Sequence, residues 1–209
     1  MLEFLRHYKL TYMVYNFFHK SLLQHNEVVY KKLGLKKKYY SSISSKDFAQ
    51  FPGGQEEHYS LNVENIKKTA LFQTIDIKDQ ESLLAFEENG YAVLNGYVAP
   101  EVCDDINLQI ESGVASGKYH FINEGKIMFA FRSIPALEAI GKQAQLNELL
   151  NVLIRGKAIL FQSINFVRGS EQFTHSDSIH MTTYPLGGLL GVWIALEDID
   201  EDNGPLHYY

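Results

Sequence analysis

The fold class is decided by residues 158–209, which read AILFQSINFVRGSEQFTHSDSIHMTTYPLGGLLGVWIALEDIDEDNGPLHYY. Apolar and β-branched residues form short blocks that Gly, Pro, Asn and Asp interrupt, which is typical of strands joined by turns. The pattern predicts strands over 158–167, about 179–184, 189–196, and a further strand starting at Leu206. Turns are predicted over 168–170, 185–188 and 198–205.

Helical signals dominate the part of the chain before this stretch. Asp79 can cap a helix over 80–88, which Gly90 would end. Pro100 suits the first turn of another helix, because an N–H has no partner there. The remaining elements predicted between 91 and 153 are strands over 91–98 and 126–132, a helix with the apolar stripe Val102, Ile106 and Ile110, and a helix through Leu146, Leu149, Leu150 and Leu153. Helices followed by short strands predict an α+β fold, with helices packed on an antiparallel sheet or barrel.

The first 54 residues differ from the rest in charge. Residues 1–50 contain nine Lys and Arg but three acids, a balance of +6, whereas the whole chain carries −6. The cluster Pro52-Gly53-Gly54 is a natural joint, so we predict a basic, aromatic, largely helical segment over 1–54 and a main domain over 55–209.

Two interpretations of the basic segment are open. One face of its predicted helix carries Leu5, Tyr8, Tyr12, Tyr15, His19 and Leu22. The face could contact an anionic membrane or nucleic acid, or it could pack on the main domain with its lysines in solvent. We expect the packed arrangement, and the acidic remainder argues against a nucleic-acid-binding protein.

Composition excludes several other classes. The single cysteine, Cys103, rules out an internal disulfide framework and a cysteine-based zinc cluster. No apolar run approaches the roughly 20 residues that span a bilayer, and Met1 to Lys9 lack the apolar core of a secretory signal. We therefore expect a cytoplasmic protein. The hydrolase, P-loop and dinucleotide-binding motifs G-x-S-x-G, G-x-x-x-x-G-K-[ST] and G-x-G-x-x-G are absent from the sequence.

The candidate for chemistry is His175-Ser176-Asp177. An imidazole and a carboxylate two positions apart can both reach one ion, and two His with one carboxylate are the ligands of non-haem Fe(II) sites that keep open positions. His180 adds a donor nearby, but alternation along a strand places it on the opposite face. We expect His180 to be a pocket or strand residue and His207 to be a sheet residue.

Three further segments, in a fixed order around this pair, make the signal more specific. The segment FTHSDSIH (173–180) precedes LGVWIALEDI (190–199) and DNGPL (202–206), and FEENGYAVLNGYV (86–98) lies upstream. This order resembles the phytanoyl-CoA dioxygenase family of Fe(II)/2-oxoglutarate oxygenases. The resemblance covers roughly 80–209 and leaves 1–75 uncovered.

The resemblance implies a double-stranded β-helix, the jelly-roll of the cupins, with packing helices. It implies that His175 and Asp177 are two of three iron ligands. The family's third ligand, a histidine, and its 2-oxoglutarate-binding arginine lie beyond the last residue given. We therefore expect a barrel and site that are incomplete at the C-terminus, and a fragment that is inactive on its own.

The resemblance also implies contacts to 2-oxoglutarate from Gln162, Trp193 and, by a looser match, Lys126. Trp193 could equally pack in the core, Lys126 could be solvated, and Arg132 competes with Lys126 for the role. Asn165 falls on the opposite face of its strand from Gln162 and is interpreted as structural. Asn203 and Gly204 are interpreted as turn formers.

The implied function is a dioxygenase that uses Fe(II), 2-oxoglutarate and O₂ to hydroxylate a small organic metabolite, releasing succinate and CO₂. Two alternatives remain open at this point. One is a non-catalytic jelly-roll binding protein, and the other is a membrane-docking or partner-docking protein that uses its basic N-terminal segment.

Overall fold

A computed structural model describes most of the chain in two compact units. One unit comprises residues 1–58 and 175–189, and the other comprises residues 59–174 and 190–209. The structure describes residues 9–48, 61–122, 125–167, 175, 177 and 188–208. The joint predicted at Pro52-Gly53-Gly54 lies outside these residues, so the division at residue 54 stays a prediction.

The described residues form short helices and a two-stranded sheet. The α-helices are α1 (Lys9–Phe18), α2 (Asn26–Lys32), α3 (Ser45–Phe48), α4 (Val63–Lys67), α5 (Ala70–Thr74), α6 (Ile77–Leu84), α7 (Phe86–Asn89), α8 (Pro100–Ala115), α9 (Pro135–Gly141) and α10 (Ala144–Leu153). Lys20–Leu23 and Ala130–Arg132 are 3₁₀-helices, and the strands are β1 (Lys126–Met128) and β2 (Ile164–Phe166). The mixture of helix and strand confirms the coarse α+β class.

Two apolar clusters hold the larger unit together. The α8 cluster consists of Ile106, Ile110, Ile127, Ala130 and Ile134. The α10 cluster consists of Leu61, Ile66, Leu71, Phe72, Leu83, Leu146 and Leu149. Burial of each Ile or Leu side chain contributes about 1.5–3 kcal/mol. Packing in these clusters therefore stabilises helices that are too short to be stable in isolation.

The helix starting at Pro100 confirms the sequence prediction, whereas the helix over 80–88 is shifted. The observed helix α6 is capped by Asp76, whose carboxylate accepts from the Asp79 N–H at 2.9 Å. Gly90, in the left-handed region at φ 75°, ends α7 as predicted. Asp79 is therefore not the cap. Its buried carboxylate instead accepts from the backbone N–H of Asn95 at 2.9 Å and from its side chain at 2.7 Å.

The strand predicted over 91–98 is wrong for a related reason. Side chains of helix α6 take up the backbone donors that a ladder would need, because Ser82 Oγ accepts from the Val93 N–H at 2.7 Å and Asp79 accepts from Asn95. The segment is irregular. Backbone groups that side chains satisfy have no need of a neighbouring strand.

The predicted strands over 126–132 and 158–167 are each reduced to three residues. Strands β1 and β2 pair antiparallel, with Lys126 opposite Phe166 and Met128 opposite Ile164. Phe129 ends β1, because its φ of 60° leaves the β region and starts a 3₁₀-helix. Residues 158–163 before β2 are not in a strand.

The strands predicted over 189–196 and from Leu206 are wrong among the residues that the structure describes. Side chains of α8 hold the first of these segments, because Asn107 donates to the Leu196 carbonyl at 2.8 Å and Cys103 Sγ lies 3.9 Å from the Ala195 carbonyl. The strand over 179–184 and the turns over 168–170 and 185–187 lie outside the described residues. The double-stranded β-helix therefore stays a prediction.

The smaller unit is built around Tyr30, Leu33 and Leu35, which are buried. The Tyr30 hydroxyl donates to the Ser41 carbonyl at 2.6 Å, and burial, with the nearby Asp47 charge, raises the pKa of Tyr30. The continuous helix predicted from Leu5 to Leu22 is wrong for its described part. Helix α1 ends at Phe18, and a 3₁₀-helix follows. Leu5 and Tyr8 lie outside the described residues.

Asp47 closes a small polar network in this unit. Its carboxylate accepts from the Lys37 ammonium at 2.7 Å and from the Ser44 N–H at 2.7 Å, which is the reciprocal capping contact at the start of α3. The hydrogen bond from Lys37, with the Ser44 contacts, holds the pKa of Asp47 below its ordinary value of 3.8. The charged form of Asp47 is therefore the one that stabilises the folded segment.

We expect Asp47→Asn to lower the local stability of residues 44–48 by about 1 kcal/mol, because the charge-assisted bonds to Lys37 and Ser44 are weakened. In the parent chain, the contribution is complete above the ordinary pKa and is lost as the pH falls through the lower, folded pKa. Amide hydrogen exchange over residues 44–48 measures both effects. The control is Glu27→Gln, which breaks an exposed ion pair with Lys31 and should cost less than about 0.5 kcal/mol. Equal effects of the two variants would contradict the role given to Asp47.

No helix in the described part of the chain is long and apolar enough to cross a membrane.

Candidate functional site

His175 and Asp177 lie side by side in the smaller unit. The Nε2 atom of His175 is 3.4 Å from Oδ1 of Asp177, and the two side chains are 30% and 59% exposed. The residue between them, Ser176, lies outside the described residues. A nitrogen donor and an oxygen donor thus lie close together at a partly solvated position.

This separation suits a shared divalent ion. Donor atoms on neighbouring corners of an octahedron, each about 2.1 Å from a first-row metal, lie about 3 Å apart. The observed distance exceeds that value by less than about half an ångström, so a small side-chain adjustment brings both atoms to one ion. The donor set, one imidazole and one carboxylate, fits Fe(II) and leaves further coordination positions open.

A third ligand is missing from the described residues. No group of three or more His, Cys, Asp or Glu side chains in the described ranges is close enough to hold a metal. His180, the local alternative, lies outside those ranges. His207 is exposed and belongs to the other unit. The described residues therefore bring together two of the three ligands that the family resemblance predicts, and the metal site stays a prediction.

The predicted co-substrate residues all belong to the larger unit. Lys126 begins β1, and its ammonium lies 5.3 Å from the centre of the Phe166 ring on the opposite strand. Gln162 is half-buried and precedes Ser163, whose carbonyl accepts from the Phe129 N–H at 2.8 Å. The ammonium of Lys126 and the amide of Gln162 thus lie on two segments that backbone hydrogen bonds join.

Arg132, the alternative to Lys126, is occupied by aromatic rings. Its guanidinium lies 4.5 Å from the centre of the Phe129 ring and 5.8 Å from that of Phe131. Each cation–π contact of this kind contributes about 0.5–1 kcal/mol at exposed sites. Both cations therefore lie against aromatic rings, and the choice between them for the co-substrate stays open.

Trp193 lies in the segment that α8 holds. Its side chain is 47% exposed, whereas its neighbour Leu196 packs against the α8 cluster. Core packing, the simple structural interpretation of Trp193, is thus wrong. The indole therefore remains partly accessible to solvent.

The turn after this segment has the predicted role. The Asp200 N–H donates to Asn203 Oδ1 at 2.7 Å, and Gly204 adopts a φ of 94°, in the left-handed region. The first contact closes a loop on the Asn203 side chain, and the Asx turn itself is formed by Asp200, whose Oδ1 accepts from the Asp202 N–H at 2.9 Å. No catalytic role is required for either residue.

Asn165 is the residue that sequence reasoning undervalued. It is paired with Ile127 on the covered side of the sheet, and its Oδ1 atom is buried without a hydrogen-bond partner among the described residues. A buried polar atom of this kind costs about 1–3 kcal/mol unless a partner is supplied. The available signal was an amide in an otherwise apolar strand, the same signal that marked Gln162.

Comparisons with known proteins agree on one family. The family model for phytanoyl-CoA dioxygenase matches residues 135–209. The curated "Phytanoyl-CoA dioxygenase domain-containing protein 1" of Danio rerio is 24% identical, with 64% of this chain and 65% of the relative covered. Its namesake from Bos taurus is 24% identical, over 60% of this chain and 62% of the relative.

The coverage of these relatives is partial. The chain spans less than two thirds of the length of either protein. No solved structure matches the chain significantly. The matched segment 135–209 includes His175, Asp177, Gln162 and Trp193, but not Lys126.

Proposed function

We propose that this chain, which matches the phytanoyl-CoA dioxygenase family over residues 135–209, acts as an Fe(II)- and 2-oxoglutarate-dependent oxygenase that hydroxylates a small organic metabolite. The observation that carries the proposal is the convergence of His175 Nε2 and Asp177 Oδ1 at 3.4 Å, inside the segment that matches the family. The substrate, the partners and the activity of the whole protein are part of this proposal.

In this proposal, His175 and Asp177 hold the metal. A neutral imidazole and one carboxylate leave a divalent ion with a net positive charge, which favours binding of a dianionic co-substrate. The bound iron, with 2-oxoglutarate and O₂, supplies the oxidation that yields succinate, CO₂ and a hydroxylated product. The protein's own task is to bind, orient and shield the reactants.

The co-substrate assignment rests on Lys126, Gln162 and Trp193. An ammonium–carboxylate hydrogen bond contributes about 1.5–3 kcal/mol, more than the exposed contact of Lys126 with the Phe166 ring, so a carboxylate can displace the ring. Gln162 offers two amide donors, and Trp193 offers an indole N–H and a flat wall that excludes water.

A spectroscopic titration tests this function without knowledge of the substrate. Purified chain, and any longer product of its gene, is loaded with Fe(II) without oxygen and then titrated with 2-oxoglutarate. We expect the visible charge-transfer absorption of a 2-oxo acid chelated to Fe(II), followed by succinate on admission of air.

The outcomes separate the remaining classes. A longer product that binds neither Fe(II) nor 2-oxoglutarate would contradict the oxygenase proposal and favour a non-catalytic binding protein. A longer product that binds both but forms no succinate, even with a panel of small metabolites, would contradict catalysis while leaving the metal site intact.

A further inference from the structure

Helix α1 exposes its apolar side. Leu10, Val14 and Phe17 occupy one face of the helix at spacings of four and three residues, and they are 71%, 51% and 53% exposed. Phe18, which borders this face, is 75% exposed. Side chains of this size normally occupy the interior of a domain. The helix therefore presents a continuous apolar strip to its surroundings.

The burial pattern is the reverse of that expected for a helix packed on its own core. Thr11 and Asn16 of α1 are half-buried, whereas its aromatic and aliphatic residues from Leu10 to Phe18 are exposed. The expected burial of the aromatic stripe is thus wrong for Tyr12, Tyr15 and Leu22, which are 48%, 58% and 69% exposed, whereas His19 is half-buried.

Cations and tyrosines border the apolar strip. The Lys20 ammonium lies 5.8 Å from the centre of the Phe17 ring, and the Phe17 ring meets that of Tyr40 edge-on at 6.2 Å. Tyr40 contacts Tyr39 and is itself approached by the Lys38 ammonium at 5.8 Å. Apolar residues, amphipathic rings and flexible cations occur in this order in helices that lie at the surface of a bilayer.

The charge of the segment points to an anionic partner. Residues 1–50 carry a balance of +6, and α1 contains no acidic residue. The acids Glu27 and Asp47 are already paired, with Lys31 at 3.0 Å and with Lys37 at 2.6 Å. The net field at this surface is therefore positive, which complements the headgroups of an anionic lipid leaflet.

We propose that α1, with the neighbouring Lys20, Lys38, Tyr39 and Tyr40, is a docking surface for a membrane that contains anionic phospholipid. Helix α1 has ten residues, about 15 Å in length, so it lies in the headgroup region rather than crossing the bilayer. Its apolar side chains enter the acyl boundary, and the lysines contact phosphates. This docking is independent of the oxygenase proposal.

Vesicle binding tests the proposal on the whole chain. Co-sedimentation is measured with phosphatidylcholine vesicles that either contain or lack phosphatidylserine, at low and high salt. We expect binding that requires phosphatidylserine and weakens as salt rises. The variant Phe17→Ser/Phe18→Ser should lower the binding constant at least about tenfold, because it removes the two large inserting rings.

Matched variants separate apolar insertion from charge. Ile77→Ser/Leu108→Ser removes two equally exposed apolar side chains from helices of the other unit, 66% and 65% exposed, and should leave binding within about twofold. Lys20→Gln/Lys38→Gln should lower binding to the anionic vesicles about tenfold or more, since each cation near such a surface contributes about fivefold. Circular dichroism checks that each variant is folded.

Three outcomes of the vesicle experiments would overturn the proposal. These are absence of binding to the phosphatidylserine vesicles, binding that the Phe17→Ser/Phe18→Ser variant retains in full, and binding that the Ile77→Ser/Leu108→Ser variant loses equally. Vesicle-free self-association that depends on Phe17 and Phe18 would identify a second copy of the chain as the occupant and would also overturn it.

Discussion

In a longer product of the gene that forms succinate, replacement of Asp177 by alanine should lower the affinity for Fe(II) at least about 100-fold and reduce succinate formation to background. The carboxylate is the charged member of the His175–Asp177 pair, so its loss removes both a donor and the charge that attracts the cation. Even residues that only orient a ligand change metal affinity about 10–100-fold, and a ligand itself must matter at least as much. Anaerobic titration with Fe(II) and the succinate assay measure the two effects.

The control for this variant is Asp104→Ala. Asp104 is an exposed carboxylate on α8, so its removal changes the net charge by the same amount without touching the pair. Fe(II) affinity should stay within about twofold. His175→Ala should match Asp177→Ala, whereas His120→Ala, at another exposed histidine, should match the control. If Asp177→Ala bound Fe(II) as tightly as the parent chain, the metal site would lie elsewhere.

The substitution Ile106→Ala should lower the free energy of unfolding of the larger unit by about 2–5 kcal/mol. Ile106 is 0% exposed and belongs to the α8 cluster, where Ile127 of β1 and Ile134 before α9 are its neighbours. Truncation of Ile106 leaves a cavity in the close-packed core. Helices α8 and α9, each with a proline in its first turn (Pro100 and Pro135), move only far enough to fill part of it.

Urea unfolding monitored by tryptophan fluorescence measures this loss. Trp193 is the single tryptophan, and it lies three residues before Leu196, which packs on the same cluster. The signal therefore reports the unit in which the substitution is made, which matters for a chain with two units. Leu108→Ala is the matched control on the same helix. Leu108 is 65% exposed, so the change should stay within about 0.5 kcal/mol. Equal losses in the two variants would contradict the assignment of the core.

Helices α8 and α10 could be predicted from sequence because their determinants are local. Pro100 marks the first turn of α8, and Ile106 and Ile110 follow at helical spacing. In α10, Leu146 and Leu149 repeat at three residues and are buried as expected. A periodic stripe and a terminal signal lie within one element, so no distant partner is needed to identify them.

The strands could not be predicted to the same extent, because pairing depends on residues far along the chain. Tyr91 to Val98 has the alternation of a strand, but Asp79 and Ser82 on a preceding helix satisfy its N–H groups. Alternation shows that a segment can be extended, and it does not show what occupies the hydrogen-bonding edge.

In the candidate site, too, local features could be predicted from sequence and long-range ones could not. The proximity of His175 and Asp177 is a local consequence of two donors separated by one residue, and their role as metal ligands stays a prediction. A third ligand depends on long-range folding that spacing does not reveal. The buried, unpartnered Oδ1 of Asn165 was missed because a sequence indicates that a strand is apolar without indicating which of its polar atoms finds a partner.

The attachment of residues 190–196 has a consequence for the order of folding. The bonds from Asn107 to the Leu196 carbonyl and from Cys103 to the Ala195 carbonyl join residues 89 and 92 positions apart in sequence. Both donors project from α8, so their spacing exists once that helix has formed. Closure of so long a loop loses chain entropy, and only the two hydrogen bonds and the packing of Leu196 compensate for that loss. These contacts are therefore expected to form late in folding. Docking of Trp193 and its neighbours therefore follows the formation of α8 and is a late step of folding.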